Sequence, residues 1–476
     1  MAAGLALVRS VWIASNIHSE RYPRGDAGLF GRVERVPGES PAMASSPSRP
    51  PLPAGPYLVV GLARSGQAAA RLLANRGADV VAVDTASPAG AERLRELGVE
   101  VHLDGDHEAL LDRAGCVVKS PGVPREAPAV RRALTLGIPV IGELELAWRL
   151  LPNPFVAVTG TNGKTTVTGL LGHIWREADR PAAVAGNVGT PLASLPDEVS
   201  AGATIICEAS SFQLEDTDRF APDCALLLNA SPDHLDRHGT FDAYLAAKLR
   251  IFSCQEAGAV AVIDRSDPAL AQLDLPGSAQ EVDLANAELS VEPMGDWIIG
   301  PHNRQNARFA IAAADAMGID PGGISRGIAS FPGVPHRLER VDEVGGVTYV
   351  NDSKATNVAA ALAALRSFES GVHVLMGGSL KGADFADLAE PVAERCAAVY
   401  LTGPAAEPIA RALALAGAGV PLHHCADLAE ALARAAADAR SGDTVLLAPA
   451  CASFDAYRDY EERGEHFRSL VAELNR

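Results

Sequence analysis

The sequence predicts an α/β protein of three domains with parallel, doubly wound sheets, and three observations carry that expectation. From Tyr57 onward, short apolar runs alternate with Ala/Leu-rich amphipathic stretches, the pattern of strand–helix–strand units. Three such blocks follow one another, each with strands ending in Gly-rich turns or polar clusters. A length of 476 residues holds about two to four domains of ordinary size. The expected division is a disordered extension over 1–55 and α/β units over 56–150, 151–335 and 336–476.

Residues 1–55 contain six basic and four acidic residues, seven prolines and seven serines without sustained periodicity, so they are expected to be disordered. They lack a basic n-region ahead of an apolar core and a clear cleavage site, which argues against a secretory signal. Met43, followed by Ala-Ser-Ser-Pro-Ser, is an alternative start, in which case residues 1–42 are a start-site artefact. The first block opens with the strand Tyr57–Val60, the tight turn Gly61-Leu-Ala-Arg-Ser-Gly66, a helix over 67–76 and a strand over 79–84 that ends on Asp84. This approximates the GxGxxG dinucleotide fingerprint, with Ala63 at the middle glycine. A Cβ there blocks the closest approach to a pyrophosphate, so a nucleotide held at the helix N-terminus fits better than NAD.

In the second block, the linker Leu151-Pro-Asn-Pro154 precedes the strand Phe155–Thr159, which runs into Gly160-Thr-Asn-Gly-Lys-Thr-Thr166. Glycines let backbone N–H groups turn inward around phosphate oxygens, Lys164 supplies a point charge, and the Thr165 hydroxyl suits Mg²⁺. Val158 stands where a longer phosphate loop has its first glycine, so this is a shorter variant. Strands over 203–207 and 224–228 lead to Glu208-Ala-Ser-Ser-Phe-Gln-Leu-Glu215 and Asn229-Ala-Ser-Pro-Asp-His-Leu-Asp236. Ligands of open sheets sit beyond the carboxyl ends of strands, so Glu208, Asp233 and His234 are expected beside the phosphate loop, with Glu208 the leading Mg²⁺ ligand. In a helix over 241–252, Phe241, Leu245, Lys248 and Phe252 share one face. A buried lysine must be paired, neutralised or modified; helix geometry alone favours instead a stem that snorkels to water. Gly300-Pro-His-Asn-Arg-Gln-Asn306 then opens a helix over 307–316, with amides suited to a purine but no stronger by themselves than an N-cap.

The third block starts near His336-Arg337, turns a hairpin at Gly345-Gly346 and reaches Tyr349-Val-Asn-Asp-Ser-Lys-Ala-Thr-Asn357, followed by strands over 372–376, 398–401 and 444–447. Asp352, Lys354, Thr356, Lys381 and Ser453 mark strand ends, and lysines with hydroxyls at one sheet edge suit a carboxylate-bearing ligand. His423-His424-Cys425 lacks the spacing that converges metal ligands and reads as a surface loop near a strand end. The net charge of −18, with +2 in residues 1–55 and hence −20 elsewhere, repels nucleic acid and anionic membrane. No apolar run approaches the roughly 18 residues of a membrane span. Seven scattered cysteines without a CxxC pair fit a reducing compartment.

Taken together, the motifs Gly160-Thr-Asn-Gly-Lys-Thr, Glu208 to Glu215, Asp233-His234 with Lys248, His302 to Asn306, Asn351 to Asn357 and Ala450-Cys-Ala-Ser-Phe-Asp455 resemble the Mur ligase family, in its glutamate-adding branch. The resemblance runs in order from Tyr57 to the C-terminus. It implies a Rossmann-like UDP-binding domain, with Asp84 and Thr85 on the uracil and Arg64, Ser65, Ser120 and Gly122 near the nucleotide. It implies a central P-loop ATPase-type domain in which Gly160, Thr161, Asn162, Gly163, Lys164, Thr165 and Thr166 hold ATP, with Asn303, Asn306, Arg337 and Asp352 on adenine and ribose. Asn187, Gln213 and His234 would face the sugar-peptide. A C-terminal Rossmann-like domain would hold glutamate through Lys354, Thr356, Lys381, Ser453 and Tyr460, the last standing where other members carry Phe. Thr165, Glu208, His234 and a carbamylated Lys248 would bind two Mg²⁺ ions, and Lys164, Glu208, His234, Lys248 and Lys354 would be the catalytic set.

The implied activity is an ATP-dependent amide-bond ligase of peptidoglycan precursor synthesis, adding D-glutamate to UDP-N-acetylmuramoyl-L-alanine through an acyl phosphate. The implied protein is cytoplasmic and monomeric, with small-molecule partners alone. Another Mur-type ligase and a folylpolyglutamate synthase relative are both disfavoured by the 351–357 and 450–455 motifs. A silent nucleotide-binding protein is disfavoured by the intact phosphate and metal residues, and a dehydrogenase by the phosphate loop.

Overall fold

Three open sheets carry the chain, and in each the central strands are short apolar runs buried on both faces, while edge strands are more polar and exposed. The computed structural model describes residues 49–105, 107–380 and 384–475. The first sheet contains β1 (Tyr57–Val60), β2 (Val80–Val83), β3 (Glu100–His102), β4 (Cys116–Lys119) and β5 (Val140–Gly142), in the order β3-β2-β1-β4-β5 and parallel throughout. The second contains β6 (Phe155–Thr159), β7 (Ala182–Gly186), β8 (Thr204–Glu208), β9 (Cys224–Leu227), β10 (Val260–Ile263) and β11 (Gln280–Asp283), in the order β11-β10-β9-β6-β8-β7, again all parallel. The third contains β12 (Glu339–Val344), β13 (Val347–Asn351), β14 (Val372–Gly377), β15 (Cys396–Thr402), β16 (Leu422–His424) and β17 (Thr444–Ala450), in the order β12-β13-β17-β14-β15-β16. Only its edge strand β12 is antiparallel, joined to β13 through Gly345 and Gly346, both at positive φ as a two-residue hairpin requires.

Buried Val, Ile and Leu side chains contribute roughly 1.5–3 kcal/mol each, and their distribution shows how the sheets are coupled. One continuous apolar cluster runs from Val59 and Leu73 beneath the first sheet through Trp148 and Leu151 to Phe155, Leu214 and Phe252 beneath the second. The third sheet has clusters of its own on either face. Polar groups reinforce the first junction. Lys119, fully buried at the end of β4, lies 2.6 Å from Asp216, and the Glu145 carboxylate accepts the consecutive N–H groups of Asp218, Arg219 and Phe220.

Several expected boundaries shift. Residues 1–48 lie outside the described residues, but 49–55, expected to be disordered, are seated on the body. The Arg49 guanidinium stacks 4.5 Å from the Trp148 ring and donates to the Leu151 and Asn153 carbonyls, while Pro51 accepts from Arg149. The helix expected over 67–76 starts at Arg64. The one expected over 241–252 is Phe241–Leu249. The one expected from 307 begins at Gly300, because Pro301 occupies the first turn, where its missing N–H is harmless. His423 and His424 belong to the strand β16, and His423 stacks on Tyr400.

Candidate active site

The first sheet begins the site with a turn that demands glycine. A Cβ on Gly66 would collide with the Gly61 carbonyl, so the helix Arg64–Asn75 starts directly against the end of β1. The Asp84 carboxylate, at the end of β2, accepts the N–H groups of Leu62 (2.5 Å) and Ala86 (2.9 Å) and fixes this turn. Ser120 is buried and Ser65 half-buried, whereas Thr85 and Gly122 are exposed at the rim. Arg64 reaches across to donate to the Gly189 carbonyl beyond β7.

At the centre, β6 delivers the loop Gly160–Gly163 into the helix Lys164–Glu177. Gly163 has φ 85°, and a Cβ there would collide with Asn306 Oδ1. No side-chain cap hydrogen bond is made at the start of this helix, the arrangement of a ready anion cradle. Lys164 Nζ donates to the Gly160 and Thr161 carbonyls (2.8 and 2.9 Å). Lys248 is 1% exposed, and its Nζ donates to the same Gly160 carbonyl at 2.8 Å while lying 4.5 Å from the Tyr244 ring centre. The snorkelling expected from helix geometry does not occur, because the head group is drawn inward to that carbonyl and ring. Burial, reinforced by Lys164, pushes the Lys248 ammonium down to about 7. Burial likewise lowers Lys164, with Arg337 adding to it and Glu208 and Asp233 opposing.

Glu208 ends β8 at 3% exposure, and its Oε1 accepts from Asn187 Nδ2 at 3.0 Å. Its charge favours the ammonium forms of both Lys164 and Lys354. Gln213 is buried in a capping box, its Oε1 accepting from Ser210 N. His234 has a half-exposed side chain at φ 50°, with Nε2 3.5 Å from Asp233 and its ring 4.9 Å from Phe212. Among the described residues, no three His, Cys, Asp or Glu side chains form a converged metal-ligand cluster. The hard donors beside the cradle are the Glu208 carboxylate and the Thr165 hydroxyl, a chemistry that fits Mg²⁺ next to phosphate.

The third sheet adds the opposite wall. A cleft of about 490 Å³ is lined by Thr166, Trp297, Asn303, Phe331, Arg337 and Leu338 among others, so three residues expected around the nucleotide meet there. Asn306 donates to Asn303 Oδ1 at 3.3 Å, and both face inward because the helix Gly300–Ala316 includes them three residues apart. Burial pushes the Asp352 carboxyl up to about 7, although it accepts the Leu338 N–H. Lys354 Nζ lies 3.7 Å from the Tyr460 ring centre; burial lowers its ammonium and Arg337 adds to that. Thr356 is half-buried and Ser453 buried. Lys381 lies outside the described residues.

Three positioning groups were not among the expected site residues. Asn229 hydrogen-bonds the loop backbone at Thr161 and Asn162. The Tyr244 hydroxyl lies 3.0 Å from Thr161 Oγ1. Arg463, buried, donates to Ser353 and to the Cys451 carbonyl, joining the 351–357 and 450–455 segments. Tyr244 had a signal, since it precedes Lys248 by one helical turn. Asn229 had one in opening the strand-end segment 229–236, while Arg463 acts through contacts far apart in sequence.

Comparison with known proteins places the chain in a family. Residues 56–142 match the N-terminal domain of MurD-like Mur ligases, 158–292 the Mur ligase middle domain, and 336–451 the Mur ligase glutamate ligase domain. The UDP-N-acetylmuramoylalanine–D-glutamate ligase of Pelotomaculum thermopropionicum is 40% identical over 448 residues, covering 88% of this chain and 98% of that one. The enzyme of the same name from Salinibacter ruber is 40% identical over 459 residues, covering 87% and 97%. Among solved structures, the UDP-N-acetylmuramate-alanine ligase of Thermotoga maritima has the same fold, with TM-score 0.53 at 18% identity, covering 88% of this chain and 100% of that one. With three matching domains in order and relatives of this identity over nearly their whole length, the chain belongs to the Mur ligase family.

Proposed function

We propose that the protein joins D-glutamate in amide linkage to UDP-N-acetylmuramoyl-L-alanine at the expense of ATP. The observation that carries the reading is the phosphate cradle at β6, flanked by buried Glu208 and faced by Arg337 and Lys354 from the third sheet. Relatives named for this reaction, 40% identical over almost their whole length, support it.

A carboxylate resists attack by an amine until one oxygen becomes a leaving group. The substrate carboxylate oxygen therefore attacks the γ-phosphorus of ATP; the new O–P bond gives an acyl phosphate as the bond to ADP breaks. The amine of glutamate next attacks the acyl carbon, phosphate departs from the tetrahedral species, and the nitrogen loses its proton. Lys164 and the uncapped amides of the helix Lys164–Glu177 hold the transferring phosphate, offsetting the repulsion between two anions. Asn303, Asn306, Arg337 and Asp352 receive the nucleoside, and Lys354, Thr356, Lys381, Ser453 and Tyr460 receive glutamate. The first sheet takes the UDP through Arg64, Ser65, Asp84, Thr85, Ser120 and Gly122, and Asn187, Gln213 and His234 take the sugar-peptide. Thr165, Glu208 and His234 would hold Mg²⁺, which supplies charge neutralisation for phosphoryl transfer.

Lys248 completes this set as a carbamate. An amine near pH 7 in its acid–base balance exposes a lone pair to CO₂; the N–C bond forms, a proton leaves, and the product is an anion that keeps one N–H for the Gly160 carbonyl. Free thiols at all seven cysteines support a reducing cytoplasm.

A phosphate-release assay offering D- and L-glutamate separately tests the reading. ADP and phosphate should appear only with UDP-N-acetylmuramoyl-L-alanine and the D isomer together. Equal turnover with L-glutamate, or turnover without the UDP substrate, overturns it.

A further inference from the structure

We propose that Asn229 is a positioning residue that divides the amides of the phosphate loop, holding those of Thr161 and Asn162 in the protein so that those from Gly163 to Thr166 face the anion. The inference rests on the reading of this loop as the ATP phosphate site.

The hydrogen-bond pattern is specific. Asn229 Oδ1 accepts both the Thr161 N–H (3.1 Å) and the Asn162 N–H (2.9 Å), while its Nδ2 donates to the Asn162 carbonyl at 3.2 Å. The Asn229 carbonyl also accepts the Thr161 N–H at 3.2 Å, and Leu228 N donates to the Thr159 carbonyl at 3.0 Å. The β6–β9 ladder is thereby carried past both strand ends into the loop. One carboxamide offers an acceptor with two lone pairs beside a donor, and this pattern uses both. An aspartate would keep the two accepted bonds, lose the donated one and add negative charge next to phosphate.

The remaining amides are accounted for by the helix. Its first internal bond runs from Val167 N to the Gly163 carbonyl at 2.9 Å, so Gly163 to Thr166 precede the repeating ladder and no side chain caps them. This loop lacks the first glycine of a longer phosphate loop, and a short loop has fewer backbone groups with which to wrap an anion. Clamping two of them from the neighbouring strand fixes the direction of the others before the nucleotide arrives. Thr161 Oγ1 adds a second tie, accepting from Ser231 N at 3.0 Å on the segment that leads to Asp233 and His234.

The test is a steady-state comparison of wild type, Asn229→Ala and Asn229→Asp, with KM measured separately for ATP, D-glutamate and the UDP substrate. Loss of this preorganisation should raise the ATP KM of Asn229→Ala about tenfold, leaving the other two KM values within about twofold. Asn229→Asp should show an ATP KM increase that shrinks as ionic strength rises, because added charge is screened. A merely structural role would lower kcat in proportion to folded protein and leave all three KM values unchanged; that result overturns the proposal. Asn229→Ser carries the same comparison if the alanine variant does not accumulate. Lys164→Ala separates the two levels. Its wild-type turnover would sink the phosphate-site reading itself, whereas its inactivity beside an unchanged ATP KM in the Asn229 variants sinks only the clamp.

Discussion

An ammonium taken out of water loses solvation worth several kcal/mol, and Lys248 recovers only part of it from one carbonyl and one aromatic face. That imbalance pushes its proton affinity down to about 7, with Lys164 adding repulsion. If the carbamate reading holds, enzyme stripped of CO₂ should regain activity on addition of bicarbonate, and Lys248→Arg should be inactive and unresponsive. A flat bicarbonate titration of the wild type sinks the idea. The helical stripe marked Lys248 as anomalous in the sequence, but spacing within a helix cannot say where a long side chain ends. Its partner Gly160 lies 88 residues away, and only the folded sheet brings the two together.

Elements show the same division between local and distant information. The phosphate loop was legible because glycines, lysine and hydroxyls at fixed spacing between a strand and a helix serve one local purpose. The start of the helix Gly300–Ala316 was misplaced because Pro301 reads as loop until its first-turn position is known. Arg463 was invisible, since a lone arginine in an amphipathic helix looks like solvated surface. Its Nε and Nη2 donate to Ser353 Oγ and O at 3.0 and 2.9 Å, and both Nη atoms lie 3.2 Å from the Cys451 carbonyl. A lysine keeps the charge but lacks the planar fork. Arg463→Lys should therefore raise KM for D-glutamate about tenfold and raise that for ATP as well, because Ser353 sits between Asp352 and Lys354. Unchanged KM values in steady-state kinetics would show that the two segments hold their places without it.

Across the whole molecule, the shared cluster of the first two sheets makes them one mechanical body, with the third sheet resting on cores of its own. Glu143 lies inside that first junction, its Oε1 accepting the Ala193 N–H at 2.6 Å, and burial pushes its carboxyl up to about 7. The folded state binds this proton more tightly than the unfolded chain does. The contribution is therefore complete below about pH 4.5 and is lost as pH rises through about 7, a change of up to about 3 kcal/mol. Melting temperature should fall between pH 5 and 7, below the range where Lys248 titrates, and Glu143→Gln should flatten the profile, leaving the slope due to Asp352, which is raised in the same direction. An identical profile in the variant would place the titration elsewhere. The charge of −18 is likewise a global quantity: at the site Arg337 gathers close enough to Lys164 and Lys354 to add to burial in depressing their ammonium forms, with Glu208 among them as the opposing charge.

Arg49 has a practical bearing on how the protein is handled. Its guanidinium fills the angle between Trp148, Phe155 and Asp223. A recombinant version trimmed to the first strand at Tyr57 would leave two aromatic faces wet and two carbonyls without their donor. A cloning boundary therefore belongs upstream of residue 49, with any affinity tag and its cleavage scar on the far side of it.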